Sequence, residues 1–278
     1  MTLKLVIVFT YVVSIFNALS LPTSQYDVVQ DPIEFNENAT NAAIIKEEIP
    51  GWHVSIRIRN VHYCNGAIIH NNWVVTSAQC IFNCDSMRSM VTVQSMSPKT
   101  NNSTNIHKVI KYIIHEGFKL NECNLPVNDI GLLQIENSFF FYGPVPAKMI
   151  KISSPMTVAS DTKVDLSGWE YGIINNKAAE MGKVDQWMTI DNQQCLAYYY
   201  SLTVMLTSQF CAVYTQQSVE NPCSFVDLGS PMVLDGRLVG IKSWKMNCTL
   251  FPHSPTLFTN VRVYYDWIRA KTGNVVSL

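Results

Sequence analysis

Strong charge of either sign is scarce in this chain. Its 20 Lys and Arg are balanced by 21 Asp and Glu, a formal net charge of -1. That balance argues against a polyanion-binding surface, so no nucleic-acid partner is expected. Basic clusters are missing as well; the nearest, Arg57-Ile58-Arg59, reads as the outward face of a strand. No Cys-x-x-Cys or His-x-x-x-His spacing occurs, and Cys80 and Cys84 have no second pair to complete a site. Neither a metal nor a cofactor is therefore expected. Beyond the first twenty residues no segment is long and apolar enough to span a bilayer, so no membrane span is expected in the mature protein. Repeats and low-complexity tracts are absent too.

What is present is a chain of 278 residues, 47% hydrophobic and 15% charged, enough for a sizeable core in one all-β domain. Residues 1–20 hold an apolar run from Leu5 to Phe16, closed by Ala18-Leu19-Ser20. This reads as a secretory signal peptide, with an N-terminal membrane anchor as the alternative. Secretion gives the eight cysteines a meaning, because an even count in an oxidising compartment reads as disulfides. Sequons fit the same extracellular setting: Asn38-Ala-Thr, Asn102-Ser-Thr, Asn247-Cys-Thr, and Asn101-Asn-Ser, which overlaps the second. Glycosylation is expected at Asn38, Asn102 and Asn247. Residues 21–45 are polar and irregular, a flexible lead-in to a domain spanning 46–275.

From Trp52 onward short alternating runs recur between turn residues. His53-Val-Ser-Ile-Arg-Ile-Arg alternates outward and inward, and Ala67-Ile-Ile, Trp73-Val-Val-Thr, Met90-Val-Thr-Val-Gln, Val109-Ile-Lys-Tyr-Ile-Ile and Ile130-Gly-Leu-Leu-Gln-Ile follow. A second set runs from Lys163 to Val261, with Asp235-Gly236 as a hairpin turn. Short strands without a helical period indicate an all-β barrel or sandwich. The tail from Val261 to Lys271 has helical spacing, and Gly273 closes it. Two strand sets and a terminal helix suggest two barrels, about 50–150 and about 160–262, with the boundary near 150–162 and the helix over 261–272.

Seven motifs in order carry a resemblance. They are Pro50-Gly-Trp-His-Val-Ser-Ile, Tyr63-Cys-Asn-Gly-Ala-Ile-Ile leading to Trp73-Val-Val-Thr-Ser-Ala-Gln-Cys80, Asn128-Asp-Ile-Gly-Leu-Leu133, Ser167-Gly-Trp169, Cys223 to Pro231, Gly240-Ile-Lys-Ser-Trp244 and Tyr265-Asp-Trp-Ile268. The chain resembles the chymotrypsin/trypsin-like secreted serine proteases over roughly residues 45–272. The resemblance implies two antiparallel six-stranded β-barrels with a C-terminal α-helix. It implies the disulfides Cys64–Cys80, Cys195–Cys211 and Cys223–Cys248; Cys84 and Cys123 are left over, and pairing them uses every thiol. A further family bridge would need cysteines near Val164 and Leu234, and both positions are apolar.

The family's chemistry is interrupted. Its serine attacks, its histidine takes the proton, its aspartate orients the imidazole and backbone N–H groups hold the oxyanion. Asp129 matches the aspartate, but Gln79 and Leu228 stand where the histidine and serine belong. Cys223 to Pro231 is one residue longer than the family spacing, and Val226 and Ser230 replace two glycines, so the oxyanion loop is expected to leave its catalytic shape. Asn221 maps to the specificity floor, and Lys245 and Thr256 map to entrance glycines, which points to an occluded pocket, with a shallow groove as the alternative. The stretch Asn38 to Glu47 has no basic cut site or glycines for zymogen activation. Asp227 is then expected to find a zymogen-like loop or a lysine such as Lys46.

Substitute catalytic groups are disfavoured: Ser224 and Ser230 as nucleophiles, and His115 as a relocated base, which reads as a surface or structural histidine. His53, His62, His70, His107 and His253 fall on strands and loops with no partner motif. The leading expectation is a secreted, catalytically inactive homolog of the kind invertebrates use as cofactor, decoy or regulator of protease cascades. Its partner would be an active protease, a zymogen or a substrate. Two alternatives stand beside it. One is a serine endopeptidase with residual or altered hydrolysis. The other is a small-ligand binder using Lys245, Trp244 and Tyr198-Tyr199-Tyr200, a run that packing beside the Cys195 bridge also explains.

Overall fold

A computed structural model of the chain divides into two units, residues 1–43 and 44–278. It describes residues 49–82, 85–95, 105–121, 124–142, 146–154, 157–174, 177–199, 207–215, 227–246 and 254–276, all in the second unit. Asn38, Asn101, Asn102, Asn247, Asn221, Ser224, Val226, Lys46, Tyr200 and His253 lie outside the described residues. So do the signal-like residues 1–20, the lead-in, and all four cysteines of the Cys84–Cys123 and Cys223–Cys248 pairings.

The architecture is two closed six-stranded antiparallel β-barrels with a short C-terminal helix. In the first half the strands are β1 (His53–Ile58), β2 (Val61–His70), β3 (Trp73–Thr76), β4 (Val91–Ser95), β5 (Ile106–Ile114), the hairpin β6 (Lys119–Leu120) and β7 (Pro126–Val127), and β8 (Gly131–Ile135). The first barrel closes in the order β1-β2-β3-β8-β5-β4. Helix α1 (Ala78–Phe82) follows β3, and a 3-10 turn covers Asp85–Met90. The core inside this barrel joins Val54, Ile56, Ile68, Val74, Val93 and Leu133.

In the second half the strands are β9 (Lys151–Ile152), β10 (Lys163–Ile174), β11 (Lys177–Ile190), β12 (Gln209–Tyr214), β13 (Pro231–Leu234), β14 (Arg237–Lys245) and β15 (Thr256–Asn260), with helices α2 (Asn192–Tyr198) and α3 (Tyr265–Thr272). The sheet order β13-β10-β11-β12-β15-β14 closes through β13 and β14, and β9 adds in parallel to β14. The predicted boundary segment thus contributes a strand to the second sheet. Asp235 and Gly236 turn the β13–β14 hairpin with φ of 48° and 71°, the left-handed pair that a two-residue turn demands. The predicted tail helix begins as a 3-10 turn, Val261–Tyr264, before α3, and Gly273 at its C-cap donates its N–H to Arg269 O.

The sequence reading missed α2. Asp191 caps it, its carboxylate accepting from Gln193 N at 2.7 Å, and Cys195 is the residue the helix buries. Cys195 is bridged to Cys211 on β12, and Cys64 to Cys80. Tyr199 packs with Cys195, Cys211 and Leu257, so its place in the tyrosine run is a packing one, whereas Tyr198 is exposed.

Strand β1 corrects the alternation expected of it. His53 through Arg57 are all buried, Arg57 to 7% exposure, because the second barrel covers the face predicted to meet solvent. The Arg57 guanidinium lies 5.9 Å from the Trp169 ring centroid and donates through Nε to Asn60 O at 3.0 Å. His53 is spanned by Asn65 Oδ1, 2.8 Å from its Nε2, and Ser167 Oγ, 2.9 Å from its Nδ1, linking the two barrels. Asn65 Oδ1 can only accept, so Nε2 carries the proton and Nδ1 accepts from Ser167. The ring stays neutral, and burial holds its pKa down at about 3.

That histidine sets a pH dependence. Unfolded, it binds a proton below about pH 6.5; folded, only near about 3, so its contribution is complete above pH 6.5 and is lost as pH falls. Burial lowers His107 in the same sense. Urea unfolding at about pH 5 should show roughly 2 kcal/mol less stability than at pH 7 from His53 alone. A flat profile between those values would contradict the buried neutral ring.

Candidate active-site remnant

Three of the positions singled out in the sequence converge where the barrels meet. Strand β3 ends at Thr76, and Ser77 then starts α1 by accepting the Gln79 N–H on its Oγ at 3.1 Å. The Cys64–Cys80 bridge fastens the helix to β2. Asp129 lies between β7 and β8, after Asn128, whose φ is 52°. Asn128 is held on both sides of its amide. Its Nδ2 donates to Gly117 O at 2.8 Å, and its Oδ1 accepts from Tyr264 OH at 2.9 Å.

The Asp129 side chain is 1% exposed and meets four donors. Oδ1 accepts from Ser77 Oγ at 2.7 Å and Gln79 N at 3.0 Å. Oδ2 accepts from Gln79 Nε2 at 2.7 Å and Ser243 Oγ at 2.6 Å. Four donors saturate an ionised carboxylate. Burial pushes its pKa up, and the hydrogen bonds from Ser243, Ser77 and Gln79 pull it back. Its backbone carbonyl accepts from Thr259 Oγ1 at 2.8 Å, so β15 is tied to the same residue.

Gln79 spends both amide protons here, the second on Ser243 O at 2.8 Å. Two acceptors on one side fix the amide's orientation, leaving Oε1 as its free polar atom chemically. An amide offers neither a titratable proton nor a basic nitrogen near neutral pH.

Leu228 is half-buried and packs against the first-barrel core cluster. Its carbonyl accepts from Asn65 N at 2.8 Å. Gly229 follows with φ of 80°, and a Cβ there would stand 2.1 Å from Asn65 O and 2.5 Å from Thr76 Oγ1. Only glycine fits that approach. Ser230 is buried, and its Oγ donates to Asp227 O at 2.6 Å, a turn-forming role.

Asp227 has a partner that was not anticipated. Among the described residues its partner is His62, with Nε2 3.2 Å from Oδ2, while Lys46 lies outside them. His62 in turn has a partner, Ser55 Oγ at 2.7 Å from Nδ1, and its ring packs on Trp169 at 5.6 Å. No spacing signal predicts this, because Ser55, His62 and Asp227 come from β1, β2 and the turn before β13. Ser77, Ser243 and Asn65 went unassigned for the same reason, although all three stand inside the quoted motifs.

His115 packs beside Tyr264 and Trp267 at ring distances of 5.2 and 4.9 Å, and its Nδ1 accepts from Gly117 N at 3.1 Å. His107 packs on Phe139 at 4.8 Å. Lys245 closes β14 half-buried, and Thr256, fully buried, faces it from β15. Among the described residues no group of His, Cys, Asp or Glu could hold a metal ion, and no helix is long and apolar enough to cross a membrane.

A glutamate at position 79 tests the saturated carboxylate. Gln79→Glu replaces the Nε2 donor with an acceptor against Asp129 Oδ2. Two carboxylates cannot both ionise there, so the variant should lose roughly 3 kcal/mol or more near neutral pH and recover part of it in acid. Equal stability of wild type and variant in urea at about pH 8 would refute the arrangement.

Comparison with known proteins gives a consistent picture. The trypsin family profile matches residues 41–268. A trypsin of Phaedon cochleariae is 26% identical over 221 residues, covering 80% of this chain and 83% of the relative. Trypsin Blo t 3 of Blomia tropicalis is 28% identical over 228 residues, covering 79% and 80%. Two solved structures share the fold. Kallikrein-related peptidase 10 in complex with Zn2+ has a TM-score of 0.63 at 18% identity, over 80% of this chain and 96% of that one. The same peptidase without that designation has a TM-score of 0.62, over 81% and 96%.

Proposed function

Because the chain belongs to the trypsin-like serine protease family, we propose that it is a secreted, non-catalytic member that acts by binding protein. The Gln79–Asp129 pair carries this reading. In the family's mechanism an imidazole takes the nucleophile's proton and returns it to the leaving amine. Gln79 keeps the imidazole's bond to the aspartate and has nothing with which to perform the transfer. Leu228 has no nucleophilic atom and spends its side chain on packing. In a serine protease, loss of either residue alone costs about a millionfold in kcat.

Of the substitutes weighed, the two among the described residues are otherwise engaged. Ser230 Oγ is committed to Asp227 O, and His115 lies on the C-terminal helix side. Asp227, whose family role is to receive a new N-terminal ammonium, is paired with His62. Secretion rests on residues 1–20 and on the cysteine bridges, Cys64–Cys80 and Cys195–Cys211, suited to an oxidising compartment. The protein partner, whether protease, zymogen or substrate, is met by the barrel loops.

An active-site fluorophosphonate should leave the purified mature protein unlabelled; specific labelling would sink the inactive reading. The double variant Gln79→His, Leu228→Ser should also stay without peptidase activity. A serine there would exchange core packing for a hydroxyl, and the Asp227–His62 pair would remain. Appreciable turnover of a mixed peptide library by that variant would show the rest of the site to be competent.

A further inference from the structure

The aromatic run that follows β8 alternates between core and solvent. Phe139 is buried and Phe141 half-buried, both against the first-barrel core. Between and beyond them, Phe140 is 65% and Tyr142 85% exposed. The chain returns at Ala147, which joins the same core and donates its N–H to Phe140 O at 2.9 Å. On either side the backbone is pinned to the first barrel. Phe139 N donates to Asn71 O at 2.8 Å, and Lys148 N to Gly51 O and Ile150 N to Ile68 O, both at 2.9 Å. Two inward residues thus anchor a frame from which two aromatic rings project. The frame is ordered before anything binds, which lowers the ordering cost of binding.

The surroundings of these rings are cationic. Met149 is half exposed, and Lys148 and Lys151 on either side of it are exposed. No Asp or Glu occurs between Glu136 and Asp161, so these two lysines carry the charge of the segment. Among the described residues neither ammonium has an acidic partner. The strand beside Lys151 contributes Arg237, and its hairpin contributes Asp235, one charge of each sign. Single exposed apolar residues are ordinary, but a cluster rimmed by one sign of charge marks a contact surface. Side chains as exposed as Phe140 and Tyr142 stand out from the surface and line no groove. Projecting aromatic rings suit a soft, planar layer, and the headgroup region of a bilayer is where such rings collect. Lysines beside them are attracted to anionic headgroups.

We propose that Phe140, Tyr142 and Met149, with Lys148 and Lys151, form a docking surface for an anionic lipid membrane. The apolar side chains enter the headgroup layer, Tyr142 keeping its hydroxyl toward water, and the two ammonium groups meet lipid phosphates and carboxylates. The contact is peripheral and reversible, since so small an apolar surface gives marginal anchoring without the added charge. It does not depend on whether the protein is catalytic.

Sedimentation of the mature protein with vesicles tests this, comparing a one-to-two mixture of phosphatidylserine and phosphatidylcholine with phosphatidylcholine alone. The mixed vesicles should bind roughly twentyfold more tightly, the worth of two lysines near an anionic surface. Raising salt to about 0.5 M should remove most of that advantage. The double variant Lys148→Gln, Lys151→Gln should abolish the preference for the mixed vesicles. Phe140→Ser with Tyr142→Ser should weaken binding to the mixed vesicles about tenfold and leave the preference in place. Each variant is first checked for an unchanged near-ultraviolet spectrum. Equal binding to the two compositions, or binding that both variants leave unchanged, overturns the proposal. No sedimentation up to about 1 mM lipid overturns it as well, and assigns the patch to a protein partner.

Discussion

A carboxylate sealed at the meeting of two barrels is the constraint on which this molecule turns. Asp129 is reached from α1 by Gln79, from the residue before α1 by Ser77, from β14 by Ser243, and through its carbonyl by Thr259 of β15. A buried charge without donors is far more costly than a buried pair. Whatever occupies position 79 must therefore donate toward Oδ2, whether or not it takes part in chemistry. A glutamine meets that requirement with a neutral amide, and its second proton secures Ser243 O in the same step. An alanine or leucine at 79 would leave the carboxylate short of a donor.

The same separation of structural from chemical demands holds at Leu228. Its carbonyl accepts from Asn65 N, and Gly229 lies against Asn65 O, so the backbone of this turn is part of the seam between barrels. Asn65 Oδ1 also accepts from Trp169 N and meets His53. None of these bonds involves the side chain at 228, which is free to become apolar and joins the first-barrel core. Glycine persists at 229 because a Cβ cannot fit; serine is dispensable at 228 because no bond of the seam uses it.

Much of this architecture was legible in the sequence. Period-two runs marked the strands of both barrels, Asp235-Gly236 marked its hairpin, and the spacing after Val261 with Gly273 marked the tail helix. The positions Gln79, Asp129 and Leu228 were readable because each sits in a local motif. What escaped was whatever depends on two barrels facing each other. Alternation in β1 signals one wet face only when nothing packs on it, and here Trp169 and Arg57 fill that space. His62 looked unpartnered because Asp227 is remote in sequence. Helix α2 escaped because a seven-residue helix with one buried residue has almost no apolar period, leaving the Asp191 cap as its main signal.

Asp227 and Asp129 are two acidic groups of this centre with opposite solutions. Asp129 is enclosed and met by hydroxyl and amide donors, with no cation in contact among the described residues. Asp227 keeps 38% of its side chain in contact with solvent and pairs with a single histidine that is itself sealed at 1%. Solvent makes the second arrangement tolerant of change, since water covers what the protein leaves unmet; the first has no such reserve. Fold maintenance therefore falls on Asp129 and its four donors, while the surfaces that can acquire new binding are those where polar groups still await a partner.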